Sequence, residues 1–243
     1  MTKEATFLGF PEDFQNKFLI YPPKIKEIVS NKSFGQYRQL LTFSQEELDD
    51  EFSKKKETAP TPLEFLLSNS YHNKEFEKIA KEAFYFFIHD EVTFIYDKKL
   101  ILIGDVNKEL KRIKNINDLV FLGEDNFFEF QNKIRESLGE KPIEPPNPNE
   151  HPKIRKMKAK ARYRDRIKAK QGSGINLLTS LASICCMGIG ITPLNIGEMS
   201  YAAIGILINT YQNKERYEID IASIQAGADS KKINPKYWIK NLD

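Results

Sequence analysis

The chain has 243 residues and a mass of 28.2 kDa, with 40% hydrophobic, 29% charged and 12% aromatic residues. That composition supports a folded core and excludes a disordered, collagen-like or disulfide-stapled chain, since only two cysteines are present. The net charge of +3 hides an asymmetry: residues 1–150 hold 21 Lys and Arg against 27 Asp and Glu, and residues 151–243 hold 16 against 7.

In chain order, Phe7 to Tyr21 alternates aromatic and polar residues before Pro22-Pro23, which predicts short extended pieces. Lys24 to Asn31 places Ile25, Ile28 and Val29 on one helical face, and Gln36 to Thr42 is a second short helix. Ser44 and Glu47 form a capping box for a helix over Gln45 to Lys56, whose terminal lysines meet the negative dipole end. Thr61-Pro62 opens the next helix, and Asn73 caps one over Lys74 to His89. The apolar face of that last helix is Phe76, Ile79, Ala80, Ala83, Phe84 and Phe87. Val92 to Gly104 reads as a β-hairpin around Asp97-Lys98-Lys99, and helices return over Asn107 to Ile113 and Asp125 to Leu138. Residues 1–139 are therefore expected to be a helical domain with one hairpin near 92–104.

Five prolines stand among the fourteen residues from Gly139 to Pro152, which makes 140–152 the expected linker. A charged helix is expected over 153–171, then a helical module over 175–243. Within that module three helices are predicted: Ile175 to Met187, Glu198 to Asn213, and Glu215 to Ala226. The expected fold class is mainly α: a helical N-terminal domain, a Pro-rich linker, a basic helix and a small C-terminal bundle.

Between Lys170 and Lys214 the sole charged residue is Glu198. Glycine at 188 limits the first apolar helix to roughly 13 residues, where a membrane span needs about 20. A buried helical hairpin is the preferred reading, with a membrane hairpin at 175–208 as the alternative. Cys185 and Cys186, adjacent in that stretch, read as small buried apolar residues.

Catalytic patterns are missing from the sequence. His72, His89 and His151 lie in separate elements without metal-ligand spacing, and no GxSxG elbow occurs. Gly188-Ile-Gly190 precedes Thr192-Pro193 instead of opening a helix, so it fails the context of a dinucleotide loop. The carboxylates Glu46, Glu47, Asp49, Asp50 and Glu51 suit a solvated helix face. The expectation is a non-enzymatic protein with no metal and no cofactor. The N-terminus carries no signal-like apolar run, which places the expected location in the cytoplasm.

Two features suggest binding. Ten bases, Lys153, Arg155, Lys156, Lys158, Lys160, Arg162, Arg164, Arg166, Lys168 and Lys170, surround a narrow strip of Ile154, Met157 and Ala161. Such a helix is solvated, docked on an acidic protein surface, or bound to a polyanion such as nucleic acid. Near the end, Trp238, the sole tryptophan, sits with Tyr237 in a basic tail, as a core lid or as an exposed anchor.

The last segment resembles the C-terminal region of tail-assembly chaperones of long-tailed bacteriophages of Gram-positive hosts. The matching positions are Met199-Ser200-Tyr201, Tyr211, Glu215-Arg216, Ala226-Gly227-Ala228 and Lys236 to Trp238, within residues 198–241. The resemblance implies a non-enzymatic protein that binds the tape-measure protein in the host cytoplasm and helps recruit tail-tube subunits. Tyr201, Tyr211, Arg216, Tyr237 and Trp238 are the expected partner-binding residues, and the N-terminal domain is expected to provide self-association or docking. A structural component of the phage tail or baseplate, which would locate the chain in the virion tail, is the alternative within the same setting. The long N-terminal part and the basic helix lie outside the family's pattern.

Overall fold

Local signals in the sequence set most helix ends. In the computed structural model, which describes residues 3–104, 119–145 and 177–229 and positions 154, 157, 161, 233, 235 and 237, the fold is mainly α. It opens with α1 (Lys3–Leu8) and a hairpin of β1 (Glu12–Phe14) and β2 (Phe18–Ile20). Gln15 and Asn16, both at φ 55°, turn the chain between the strands. The expected extended pieces are thus this second hairpin, but Phe7 belongs to a helix.

Short α2 (Ile25–Ser30) and α3 (Phe34–Thr42) follow. In α4 (Gln45–Lys55) both halves of the capping box form: Glu47 N–H donates to Ser44 Oγ at 3.3 Å, and Ser44 N–H donates to the Glu47 carboxylate at 2.9 Å. The same reciprocal pair, Thr61 and Glu64, starts α5 (Pro62–His72), with proline at the tolerated first position. Asn73 Oδ1 accepts from the Glu75 and Phe76 amides to begin α6 (Lys74–Ile88).

The central element is α6. Ala80, Ala83, Phe84, Phe87 and Ile88 are buried at the i, i+3, i+4 spacing of one helical face. They pack against α3, α5, β2 and the sheet. That sheet pairs β3 (Val92–Ile95) with β4 (Leu100–Ile103) around a single 3-10 turn, and adds β5 (Phe121–Leu122) on the far side of β4. α7 (Glu124–Ser137) closes the core with Phe127, Phe130 and Ile134. Phe84 and Phe130 stack at 5.4 Å between ring centres, and Phe14 meets Phe130 edge-on at 6.0 Å. Each such ring contributes about 1.5–3 kcal/mol through burial.

α7 ends in a Schellman motif. Glu140 N–H donates to Arg135 O at 2.8 Å and Gly139 N–H to Glu136 O at 2.9 Å, with Gly139 at φ +72°. The following chain is tethered back along the helix by Asn132, whose amide group both donates to and accepts from the Ile143 backbone at 2.9 Å. The helix expected over Asn107 to Ile113 lies outside the described residues, as does 146–152 of the linker. All ten bases of the 153–170 run also lie outside them, whereas Ile154, Met157 and Ala161 are helical.

The C-terminal part corrects two expectations. The first helix is α8 (Leu177–Cys186), and the two further helices expected are one, α9 (Tyr201–Gln225). The polar stretch Tyr211 to Arg216 contains no glycine or proline, and the Lys214–Glu218 pair at 3.7 Å supports the helix through it. Together α8 and α9 do not make a closed bundle: their small core of Ile184, Ile196 and Ile204 is completed by Ile25 of α2. Beyond Ile204 no residue of α9 is fully buried. The single expected hairpin also becomes two small sheets, because the pair near the N-terminus and the short strand β5 carry weak alternation signals.

Glu77 on α6 is held by Lys81 at 2.8 Å and Lys74 at 2.9 Å. Hydrogen bonds from Lys81 and then Lys74 pull its carboxyl from the ordinary 4.5 down to about 2. A depressed pKa contributes stability that is complete above pH 4.5 and lost as the pH falls towards 2. Glu77→Gln is therefore expected to lose less stability than the parent chain across that window, measured by urea denaturation at a series of pH values.

Candidate partner-binding surface

Ser200 is the joint between the C-terminal helices and the rest. Its hydroxyl is 2% exposed and is shared between the carbonyls of Thr6 (2.8 Å) and Phe7 (3.1 Å), while its oxygen accepts from the Ala203 amide at 3.2 Å. One side chain thus satisfies carbonyls at the end of α1 and an amide at the start of α9. Beside it runs an antiparallel bridge, with Ile25 N–H donating to Met199 O at 3.0 Å and Tyr201 N–H to Pro23 O at 2.8 Å. Lys26 and Lys24 reach Glu198 at 2.6 and 3.3 Å, and hydrogen bonds from Lys26 and then Lys24 hold its carboxyl below the ordinary range. On the opposite flank, a Cβ on Gly139 would lie 3.0 Å from Ala202 Cβ, so α7 and α9 meet where only glycine fits.

This joint leaves α8 with one covered side. Ile184 is fully buried, and Leu181, Cys185 and Met187 pack around the same small core. The other side presents Leu178, Ala182 and Cys186 at i, i+4, i+8, with Leu178 74% exposed. Cys186, expected to be buried, is exposed because it points about 100° away from Cys185 around the helix. The expected fully buried hairpin is therefore half open. Among the described residues, no helix is long and apolar enough to cross a membrane.

The chain after α8 adds further exposed apolar residues. Gly188 and Gly190, at φ +69° and +80°, turn it back. Asn195 then fastens the loop: its Oδ1 accepts from Thr192 N–H at 2.8 Å and its Nδ2 donates to Gly190 O at 3.0 Å. Leu194, 96% exposed, rides on this hydrogen-bonded turn beside exposed Ile189. Residues 177–197 contain no charged side chain. An apolar, uncharged face held by fixed backbone bonds has the chemistry of a protein-binding surface.

The residues singled out in the sequence are spread over other places. Tyr201 is half-buried in the joint, packing on both cores, with its ring 5.9 Å from Phe34. Tyr211 is half-buried and Arg216 exposed along α9. Tyr237 is exposed and meets Tyr217 edge-on at 5.5 Å, while Trp238 lies outside the described residues. The four described among them do not share one site: Tyr201 packs in the joint, Tyr211 and Arg216 lie farther along α9, and Tyr237 meets Tyr217. His72 and His89 are on the surface, and no metal-ligating group of three occurs among the described residues. Sequence reasoning missed Leu178, Ala182, Cys186, Ile189 and Leu194. Their signal was the absence of charge on every side of the 177–197 stretch, which pattern alone assigns equally to a core.

Leu178→Asp and Leu194→Asp are expected to leave stability within about 0.5 kcal/mol of the parent, as exposed positions do. Ser200→Ala, which removes a cap and a buried hydroxyl, is expected to cost about 1–3 kcal/mol. Urea melts of the three variants check both statements.

Comparison with known proteins gives one match. Residues 168–243 match the family model described as YomV second domain, a phage-derived family. No curated protein and no solved structure matches the chain. The similarity covers α8, the turn with Leu194, the joint at Ser200 and all of α9, so the exposed apolar residues lie inside the stretch that is similar to a phage-derived family.

Proposed function

We propose that this chain is a non-enzymatic phage tail morphogenesis protein that binds the tape-measure protein, or another tail protein, in the host cytoplasm. The observation that carries this reading is the exposed, uncharged ridge of Leu178, Ala182 and Cys186 on α8, followed in the chain by exposed Ile189 and Leu194, within the stretch similar to a phage-derived family. Tape-measure proteins present long apolar helices before the tube is built around them, and such helices need a cover that carries no competing charge. A rigid apolar face offers that cover without an ordering cost at the moment of binding. The resemblance of residues 198–241 to tail-assembly chaperones supports the same assignment.

Co-expression with the tape-measure protein from the same phage region tests it. The expected result is a soluble complex that co-elutes in gel filtration, with the tape-measure protein insoluble when expressed alone. The Leu178→Asp, Leu194→Asp double variant, itself folded, is expected to lose the complex. Absence of a complex with the parent chain, or an unchanged complex with the double variant, overturns the proposal.

A further inference from the structure

The chain displays a Pro-x-x-Pro segment on its surface. Pro142 and Pro145 stand three residues apart, which is one turn of a polyproline II helix, so both rings fall on one edge. Proline fixes φ at 142 and 145, and it biases Lys141 and Glu144 before them towards extended backbone. Neither helix nor strand forms over 141–145; Lys141, Pro142, Glu144 and Pro145 are exposed and Ile143 is half-buried. The segment is also held in place. Arg38 meets Glu140 at 2.6 Å, and the Asn132 side chain bonds both the N–H and the C=O of Ile143 at 2.9 Å. The two prolines are therefore presented outward on a backbone whose ordering cost is already met.

The N-terminal part also carries the kind of surface that receives such a segment. A groove of about 820 Å³ is lined by two edge-on aromatic pairs, Phe52 with Phe65 at 6.5 Å and Tyr71 with Tyr96 at 5.2 Å. Tyr71 is 62% exposed, so an aromatic edge is open to an incoming ring. Aromatic-lined grooves dock polyproline segments, whose backbone carbonyls no secondary structure satisfies, and Thr58, Ser68 and His72 supply hydrogen-bonding groups for them here. The lining is mixed in charge, with Lys99 and Glu64 paired at 2.5 Å, and the exposed Glu51 makes no ion pair among the described residues. Lys141, at the head of the segment, makes none either. No residue of 141–145 lines the groove of its own chain, so the partner is another molecule.

We propose that the groove between Phe52, Phe65, Tyr71 and Tyr96 receives the Pro142–Pro145 segment of a second copy of this chain, with Lys141 reaching Glu51. Donor and receiver are different surfaces of the molecule. Neither includes the α8 ridge, so this contact and the tail-protein reading stand or fall separately.

Sedimentation velocity of the nuclease-treated 243-residue chain over a concentration series tests it. Concentration-dependent association is expected, and the Leu178→Asp, Leu194→Asp double variant is expected to keep it. A Pro142→Ala, Pro145→Ala double variant retains every charge but loses the rigid edge, and is expected to associate about tenfold more weakly. Glu51→Lys and Lys141→Glu each bring like charges together and are expected to weaken association about tenfold. Both positions are exposed, so each variant keeps the parent's melting profile. Mixed in equal amounts, these two variants place opposite charges at every contact and are expected to associate as the parent does. A parent chain that stays monomeric overturns the proposal. So does association that is lost in the α8 double variant, that ignores the proline variant or either charge variant, or that is not restored in the mixture.

Discussion

The buried hydroxyl of Ser200 is the constraint on which the C-terminal half depends. It serves as donor to the end of one helix and acceptor to the start of another, 194 residues apart in sequence from Thr6. A single side chain thereby bonds two carbonyls at the end of one helix and an amide at the start of another. The antiparallel bridge at Lys24 and the close approach of Gly139 to Ala202 fix the same point from two further directions. Helix α9 therefore starts in one orientation, and α8, which packs on it, follows.

That placement explains why an almost wholly apolar helix is left half uncovered. The core available to α8 is small, four buried isoleucines of which one comes from α2, and it covers only the ridge around Ile184. The opposite ridge is exposed at Leu178, Ala182 and Cys186, and the Asn195-fastened turn that follows leaves Leu194 exposed as well. Leaving such surface in water costs about 25 cal/mol for each Å² that a partner would cover. A soluble partner with an apolar helix recovers that free energy; a charged partner does not.

Much of the fold was legible because its signals are local. Ser44 with Glu47, Thr61 with Glu64, and Asn73 each start a helix within a residue of the expected place, since a cap acts over three positions. The hairpin around Asp97-Lys98-Lys99 was readable for the same reason. What was not legible depends on distance. The helix α9 runs through Tyr211 to Arg216 because nothing there breaks it, although hydrophobicity drops sharply. Tyr201, chosen as a partner contact, packs into the joint because Phe34 and Pro23 are brought there by the remainder of the chain. The α8 face was hidden by its own composition: periodicity cannot tell a helix buried on two sides from one that awaits a partner on the second.

An acidic N-terminal part and a C-terminal part similar to a phage-derived family, with a basic stretch between them in sequence, meet at a single joint, which leaves one side of α8 facing outward. Cys186 lies on the exposed ridge of α8 and Cys185 packs on the covered side, which makes thiol labelling the most direct measurement. In the free chain, the account predicts one fast-reacting thiol, Cys186, and one slow one, Cys185. In complex with the tape-measure protein, Cys186 should become as slow as Cys185. A Cys186 that labels equally fast in the free chain and in the complex would contradict the assignment of this face as the binding surface.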